Sequence, residues 1–419
     1  MIDNKELETL LGLCDIEIER IVRGERKTLK VYVTSTKDGT SCHCCGKPIE
    51  KFYGFGQEIE LRHLPIFDYK TYIVIKPKRY VCERCDGRPT TSQTLPWYTK
   101  KSAFTVAYEQ DLMRSLINST IQDVSLKHDV GNDAIQGILD RHIDAKVDWN
   151  TIPVIESIGI DEIAIKKGHR DFVVVVSAYV LGQLRVIGIL ANREKATVKE
   201  FFLTIPKRLR RMVKMVCSDL YRGFIGAAKD VFGKRVAVCA DRFHVAKLYR
   251  EGLDDLRKKE MKRLRRALST EVYGGLKNVH WIVRKRRDEL SADERRILNR
   301  LFEHSPKIRE AYELCEALTA IYDAPLSKGQ GKRKLKGWMQ RVVNCNAACF
   351  SRFLKTLESN MEEIANYFVA RQTSGFVEGL NNKIKVLKRR CYGITNTNHL
   401  FQRVCLDLNG YALFARSVD

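Results

Sequence analysis

Apolar residues recur in this chain with two different periods, and the period changes near residue 150. Before that point "FTVAYEQDLMRSLIN", "TIQDVSLKH" and "DAIQGILDRHI" carry three- and four-residue steps, and three helices are expected within 102–145. After it, "VIESIGIDEIAIKKG", "DFVVVVSAYV" and "LRVIGIL" are β-branched runs at hairpin spacing, the last two joined by Leu181-Gly182-Gln183. A helix over 195–204, a strand "VKMVCS", a helix over 222–231 and a strand "RVAVCA" follow. This order predicts an α/β sheet, three antiparallel strands extended by parallel ones. From about 245 to 370 the chain reads as charged helix, with a basic loop at Lys328–Lys336. The first 40 residues read as a short helix, "NKELETLLGL", and a strand, "TLKVYVTST".

The second and third of the early helices flank a short turn. Ile121, Val124 and Leu126 precede it, Gly131 falls in it, and Ile135, Ile138 and Leu139 follow it. Two helices crossing steeply at such a turn leave the second free to enter a major groove. Its candidate base-facing side chains are Asn132, Asp133 and Gln136. The alternative is an ordinary helical hairpin.

Composition narrows the partner. The 419 residues carry a formal net charge of +23, which favours a polyanion, with nucleic acid ahead of anionic membrane. No window reaches the ~18 apolar residues of a membrane span, so the expectation is a soluble, cytoplasmic protein. Thirteen cysteines, an odd number, argue for reduced thiols and one metal site rather than a secreted disulfide framework. "SCHCCGKP" and "YVCERCDG" supply that site as Cys42, Cys45, Cys82 and Cys85. Two such knuckles fit one tetrahedral, structural Zn²⁺, with Gly46 and Gly87 where the turns need positive φ. His43 and Cys44 are spare ligands. Cys217, Cys239 and Cys345 lie in apolar runs and read as core.

The carboxylates carry the chemistry. Asp161 sits inside an apolar strand beside Glu162, which alternation sends to the opposite face. Asp219 and Asp241 each follow an apolar strand directly. Ligand sites of open α/β sheets lie beyond the carboxyl ends of strands, although an aspartate there can also cap the next helix. Far downstream, "TSGFVEGLNNKIKVLKRRCYG" keeps a single acid, Glu378, on a basic helix. Val377, Leu380, Ile384 and Leu387 form its core face, and Glu378, Asn382, Lys385 and Arg389 line the adjoining one. A phosphodiester site asks for this: carboxylate oxygens for two hard cations, and cations leading up to them for the nucleic acid. Asp161, Asp219 and Glu378 can converge on two Mg²⁺ (or Mn²⁺) ions, one activating the attacking oxygen and one stabilising the leaving oxygen. The gap from Asp219 to Glu378 is 159 residues (378 − 219), too long for a bare ribonuclease-H-like fold. The helical stretch accounts for the excess as an insertion.

With "CHCCG", "CERC", "GIDEIAIKKGH", "VCSDLYRGF", "ADRFHVAKLYREGLDDLRK" and "TSGFVEGLNNKIKVLKRRCYGITN" in this order, nearly the whole chain resembles bacterial insertion-sequence transposases of the ISL3 type, which carry a DDE catalytic domain. The resemblance implies a multidomain α/β protein: a zinc ribbon over 1–100, a helix-turn-helix over 101–150, a ribonuclease-H-like catalytic domain over 151–250 and 366–398, a helical insertion over 251–365 and a C-terminal helix over 399–419. It implies a triad of Asp161, Asp219 and Glu378, with Asp241, His244 and Asn381 in support. Asn132, Gln136, Asn382, Lys385, Lys388 and Arg389 are the expected DNA contacts. It also implies binding to double-stranded transposon ends and target, cut-and-join chemistry, and a homodimer or larger assembly acting at the bacterial nucleoid. The rivals are a zinc-dependent regulator on an inert nuclease-like fold and a structure-selective nuclease that cuts without joining.

Overall fold

The computed structural model describes residues 4–164, 172–370, 375–391 and 393–415; the side chains of residues 370 and 375–378 lie outside the description. Two units emerge, one from Met1–Ile143 with Cys405–Asp419 and one from Asp144–Val404.

In the first unit, β1 (Ile16–Gly24), β2 (Thr28–Ser35), β3 (Ile59–Arg62) and β4 (Lys70–Ile75) form a sheet in the order β1-β2-β4-β3. Its inner face is Ile16, Ile18, Val31, Val33, Leu61, Ile73 and Ile75. Strand β1 escapes the sequence reading because its alternation breaks: a bulge between Ile18 and Arg20 shifts the register and leaves Ile21 exposed. The helices α1 (Val106–Leu116), α2 (Ile121–His128) and α3 (Asn132–His142) share one core, with Leu112, Leu116, Val124, Ile135, Ile138 and Leu139 fully enclosed. Thr105 and Thr120 start the first two by accepting from the backbone N–H of Tyr108 and Asp123. Glu109 fixes α1 to α3: it is buried and faces His142 Nε2 at 2.8 Å, Ser102 Oγ at 2.7 Å and Arg141. Leu126, one of the three apolar residues named before the turn, is 73% exposed. Two residues advance a helix by about 200°, which turns Leu126 away from Val124.

The second unit is organised by a five-stranded sheet: β5 (Ser157–Ala164), β6 (Phe172–Val180), β7 (Gln183–Leu190), β8 (Met215–Ser218) and β9 (Ala237–Ala240), in the order β7-β6-β5-β8-β9. The pairs β5–β6 and β6–β7 are antiparallel, and β5–β8 and β8–β9 are parallel. Alternation gives the short parallel strands two buried faces. Val216 and Val238 pack with Val198 and Phe202 of α4 (Lys195–Thr204) and Phe224 and Ala228 of α5 (Arg222–Phe232). Met215, Cys217 and Cys239 face the other way, in one core with Tyr249 and Leu253 of α6 (Arg242–Ala267) and the helices that follow. Cys217 and Cys239 are core residues, as expected, whereas Cys345 is half-buried at a helix end.

The basic stretch Lys328–Lys336 is helix rather than loop. It opens α7 (Lys328–Asn344), where Ser327 and Gln330 form a capping box and Leu335, Trp338 and Val342 are buried at helical spacing. Its glycines and lysines mask a start signal that Ser327 and Gln330 carry. Further on, α8 (Gly375–Arg390) packs along β5, and its Leu380, Ile384 and Leu387 are buried. Val377, assigned to the same face, lies outside the described side chains. No helix among the described residues is long and apolar enough to cross a membrane.

Candidate active site

Register brings the aspartates together. Gly159 pairs with Cys217 across the parallel strands β5 and β8, and Ser218 pairs with Ala240 across β8 and β9. Carried forward, the same register sets Asp161 level with Asp219, and Asp219 level with Asp241. Three neighbouring strands thus each contribute one aspartate to a row at the carboxyl end of the parallel strands, the end where α/β sheets bind ligands.

Local backbone holds each one. Asp161 Oδ1 accepts from the Glu162 N–H at 2.8 Å, and Asp219 Oδ1 from the Tyr221 N–H at 3.0 Å. Asp241 caps α6 by accepting from the Phe243 N–H at 2.9 Å. The capping role therefore applies to Asp241 without removing it from the row. Two further groups converge. Asn381, buried on α8, donates Nδ2 to Asp161 Oδ2. His244, on the first turn of α6, holds Nε2 at 3.7 Å from both Asp161 Oδ1 and Asp241 Oδ2.

Crowding of acids shows in their proton affinities. Burial pushes the Asp161 carboxyl above the usual range, and the carboxylates of Asp219 and Asp241 add to it. Burial raises Asp219 too. Glu162 is raised by burial and then by Asp219, although it turns from Asn381 towards Arg193, 3.4 Å away. Arg193 also lies 5.1 Å over the Tyr221 ring. This arginine went unnoticed in the sequence, because nothing in "ANREK" marks it. A cavity of about 780 Å³ opens beside the row, lined by Asp241, Arg242, Phe243, Lys247, Arg250 and Arg284 among others.

The remaining expected residues are distributed as follows. Glu378 is on α8, but its side chain lies outside the description. Asn382, Lys385 and Arg389 are exposed on α8. Lys388 is half-buried and donates to the Ala164 carbonyl at 2.6 Å, and burial lowers its pKa. Asn132 and Asp133 are exposed at the start of α3; Asn132 donates to Gln122 at 3.0 Å, and Gln136 to Asp140 at 2.8 Å.

In the other unit the sulfurs of Cys42, Cys45, Cys82 and Cys85 all lie within 4.8 Å of one another. The separations Cys42–Cys85, Cys45–Cys82 and Cys82–Cys85 are 4.0, 3.9 and 3.7 Å. Tetrahedral zinc bonds of ~2.3 Å demand sulfurs about 3.8 Å apart, so the donor set fits. Gly46 and Gly87 have φ of 68° and 74°, which closes each knuckle. Backbone N–H groups of Cys45 and Cys44 hold the Cys42 thiol down to about 6, in the ligand form near neutrality. Hydrogen bonds with Cys45 and Cys82 push Cys85 up to about 12. Four thiols this close need a cation before all can ionise. His43 bonds to Thr91 instead, and Cys44 is exposed outside the cluster.

Comparison with known proteins matches both regions of the chain. A transposase family of the ISL3 DDE type matches residues 158–404, more than half of the chain. The zinc finger of the IS204, IS1001, IS1096 and IS1165 transposases matches residues 38–85. The chain is 26% identical over 412 residues to the transposase for insertion sequence element IS1001 of Bordetella parapertussis, covering 96% of this chain and 98% of that protein. It is 22% identical over 388 residues to the transposase for insertion sequence element IS1557 of Mycobacterium tuberculosis (strain ATCC 25618 / H37Rv), covering 88% and 86%.

Proposed function

The chain belongs to the ISL3 family of DDE transposases, and on that premise we propose that it binds the terminal inverted repeats of its own insertion sequence, cuts a phosphodiester there to free a 3′-hydroxyl, and joins that hydroxyl to target DNA. The observation that carries this reading is the row of Asp161, Asp219 and Asp241 at one sheet end, with Asn381 bonded to the first of them. Strand order β7-β6-β5-β8-β9 supports a ribonuclease-H-like catalytic domain, interrupted by the helices between α6 and α8.

The catalytic triad of this proposal is Asp161, Asp219 and Glu378. Position 378 stands three residues, close to one turn, before Asn381 on α8, and positions so spaced share a helix face. Acids crowded until their proton affinities rise are a donor set suited to divalent cations, and two Mg²⁺ or Mn²⁺ ions bound there would supply Lewis-acid activation of the attacking and leaving oxygens. The protein's own part is positional. Asn381 fixes Asp161 by one oxygen and leaves the other towards His244. Asp241 anchors α6, and so His244, beside the row. Asn382, Lys385, Lys388 and Arg389 give α8 the donors and charge to hold a phosphate backbone. The zinc ribbon and the α2–α3 pair, acting as a helix-turn-helix, would select the terminal repeats, with Asn132 and Gln136 at base edges. Joining two ends calls for two active sites, so a homodimer or larger assembly at the nucleoid follows.

The test is cleavage of a labelled duplex carrying the element's ends, with Mg²⁺ or Mn²⁺, wild type beside Asp161→Asn. Metal-dependent cutting lost in the variant is the expected result. Tight binding with no cutting by either protein would make the chain a DNA-binding regulator on an inert fold; cutting without any joined product would make it a nuclease.

A further inference from the structure

Glu162 is a further acid beside the aspartate row. It follows Asp161 on β5, so alternation turns it to the other face of the strand. It stays within charge reach of the row all the same: burial raises its carboxyl, and Asp219 raises it further. Its two oxygens are treated differently. Oε1 is buried and has no hydrogen-bond partner. Oε2 lies 3.4 Å from Arg193 Nη1.

Arg193 comes from the short connection between β7 and α4. Its side chain is 52% exposed, yet three groups pin it. Its Cζ lies 5.1 Å from the centre of the Tyr221 ring and 5.7 Å from that of Phe172, and Glu162 offsets its charge. The Tyr221 ring is itself fixed. It folds back over Gly223, where it leaves no room for a Cβ, and meets the Phe224 ring at 5.1 Å. The Tyr221 N–H in turn holds Asp219 Oδ1 at 3.0 Å. One guanidinium thus joins the acid beside the row to the residue that holds the middle member of the row. A half-exposed ion pair contributes little to stability, and fixing a long side chain costs entropy. The arrangement therefore asks for a role other than stability.

We propose that Arg193 is a positioning residue for cleavage: it holds Glu162 back from the metal ions, and so keeps open the coordination positions that the scissile phosphate takes. The inference rests on the reading of the row as a metal-dependent site. A buried carboxylate oxygen without a partner is a ready ligand for a hard cation. Released from Arg193, Glu162 would turn towards ions held by Asp161 and Asp219. The ions would then be bound more tightly and serve the DNA less well.

The experiment is calorimetric titration of full-length, zinc-loaded protein with Mn²⁺, beside cleavage kinetics on element-end duplex. Wild type, Arg193→Gln and Arg193→Gln/Glu162→Gln are compared; zinc content and melting temperature report folding. Arg193→Gln should bind Mn²⁺ more tightly, on the order of fivefold, because a cation has gone and a carboxylate has been freed. It should also cut more slowly, by roughly tenfold in kcat with KM for DNA within about twofold. The double variant should return both quantities to within about threefold of wild type. A packing role gives no such pairing of tighter metal with slower cutting, both undone by a second substitution. Weaker or unchanged Mn²⁺ binding by Arg193→Gln, a loss expressed in KM alone, or a double variant no better than the single one overturns the proposal. Failure of the metal-dependent reading is seen separately: wild type and Asp161→Asn would then bind Mn²⁺ equally, and neither would cut.

Discussion

Asn381 donates its side-chain amide to Oδ2 of Asp161, a carboxylate 220 residues earlier in the chain. The bond ties α8 to the strand that opens the sheet, and it stabilises Asp161 in its charged form. Asn381→Ala removes a donor to an ion, a contribution of about 1.5–3 kcal/mol. Loss of that donor raises an Asp161 pKa that burial already holds high. The acid limb of metal-dependent cleavage should therefore move up by about one pH unit or more, read from the pH–rate profile; an unmoved limb would leave Asn381 with packing alone.

Asp161 and Asp219 should destabilise the metal-free protein at neutral pH. Both have folded-state pKa values raised above the ordinary carboxylate value. A carboxyl of this kind adds its stability below the unfolded pKa and loses it as pH rises through the folded one. In EDTA at pH 7, Asp219→Asn should melt higher than wild type, by roughly 2–4 °C for each kcal/mol relieved. The difference should shrink as pH falls towards 4. A variant that melts lower at pH 7 would contradict the assignment.

Glu378→Gln keeps size and polarity while removing the charge. Cleavage of element ends should drop by several orders of magnitude while binding to the same ends stays near wild type. A variant that cuts at the wild-type rate would remove Glu378 from the triad.

Cys82→Ser deletes one of four thiolates. Elemental analysis should find about one zinc per wild-type chain and close to none in the variant. The variant's first unit should become protease-sensitive. Unchanged zinc would refute the four-thiolate site.

Gly252, midway along α6, has room for nothing larger. A Cβ built on it would stand 2.5 Å from the Cys349 carbonyl oxygen. Gly252→Ala should cost about 1–3 kcal/mol despite its better helix propensity, seen as a lowered melting temperature.

Much of this was legible in the sequence, for reasons that differ by element. The runs "DFVVVVSAYV" and "VKMVCS" announce strands because burial on both faces forces continuous apolar character. The cysteine knuckles announce a metal because spacing alone sets their geometry. Strand β1 did not show, since a bulge breaks its period. The start of α7 did not show, since two glycines and four lysines obscure a capping box. The exposure of Leu126 did not show, since its apolar side chain gives no sign that it points away from Val124. Arg193 could not be found at all: its partners, Glu162 and Tyr221, meet it only once the sheet has formed.

The aspartate row has a consequence for how chain length can vary. Each acid keeps its place by counting residues from a paired position within a strand, two past Gly159 and one past Ser218 and Ala240. A deletion of one residue inside β8 would slide Asp219 out of line and turn its side chain to the other face of the sheet. Residues added between α6 and α8 leave the count untouched. Insertions and deletions between related chains should therefore gather in that helical stretch and be absent from the short strands.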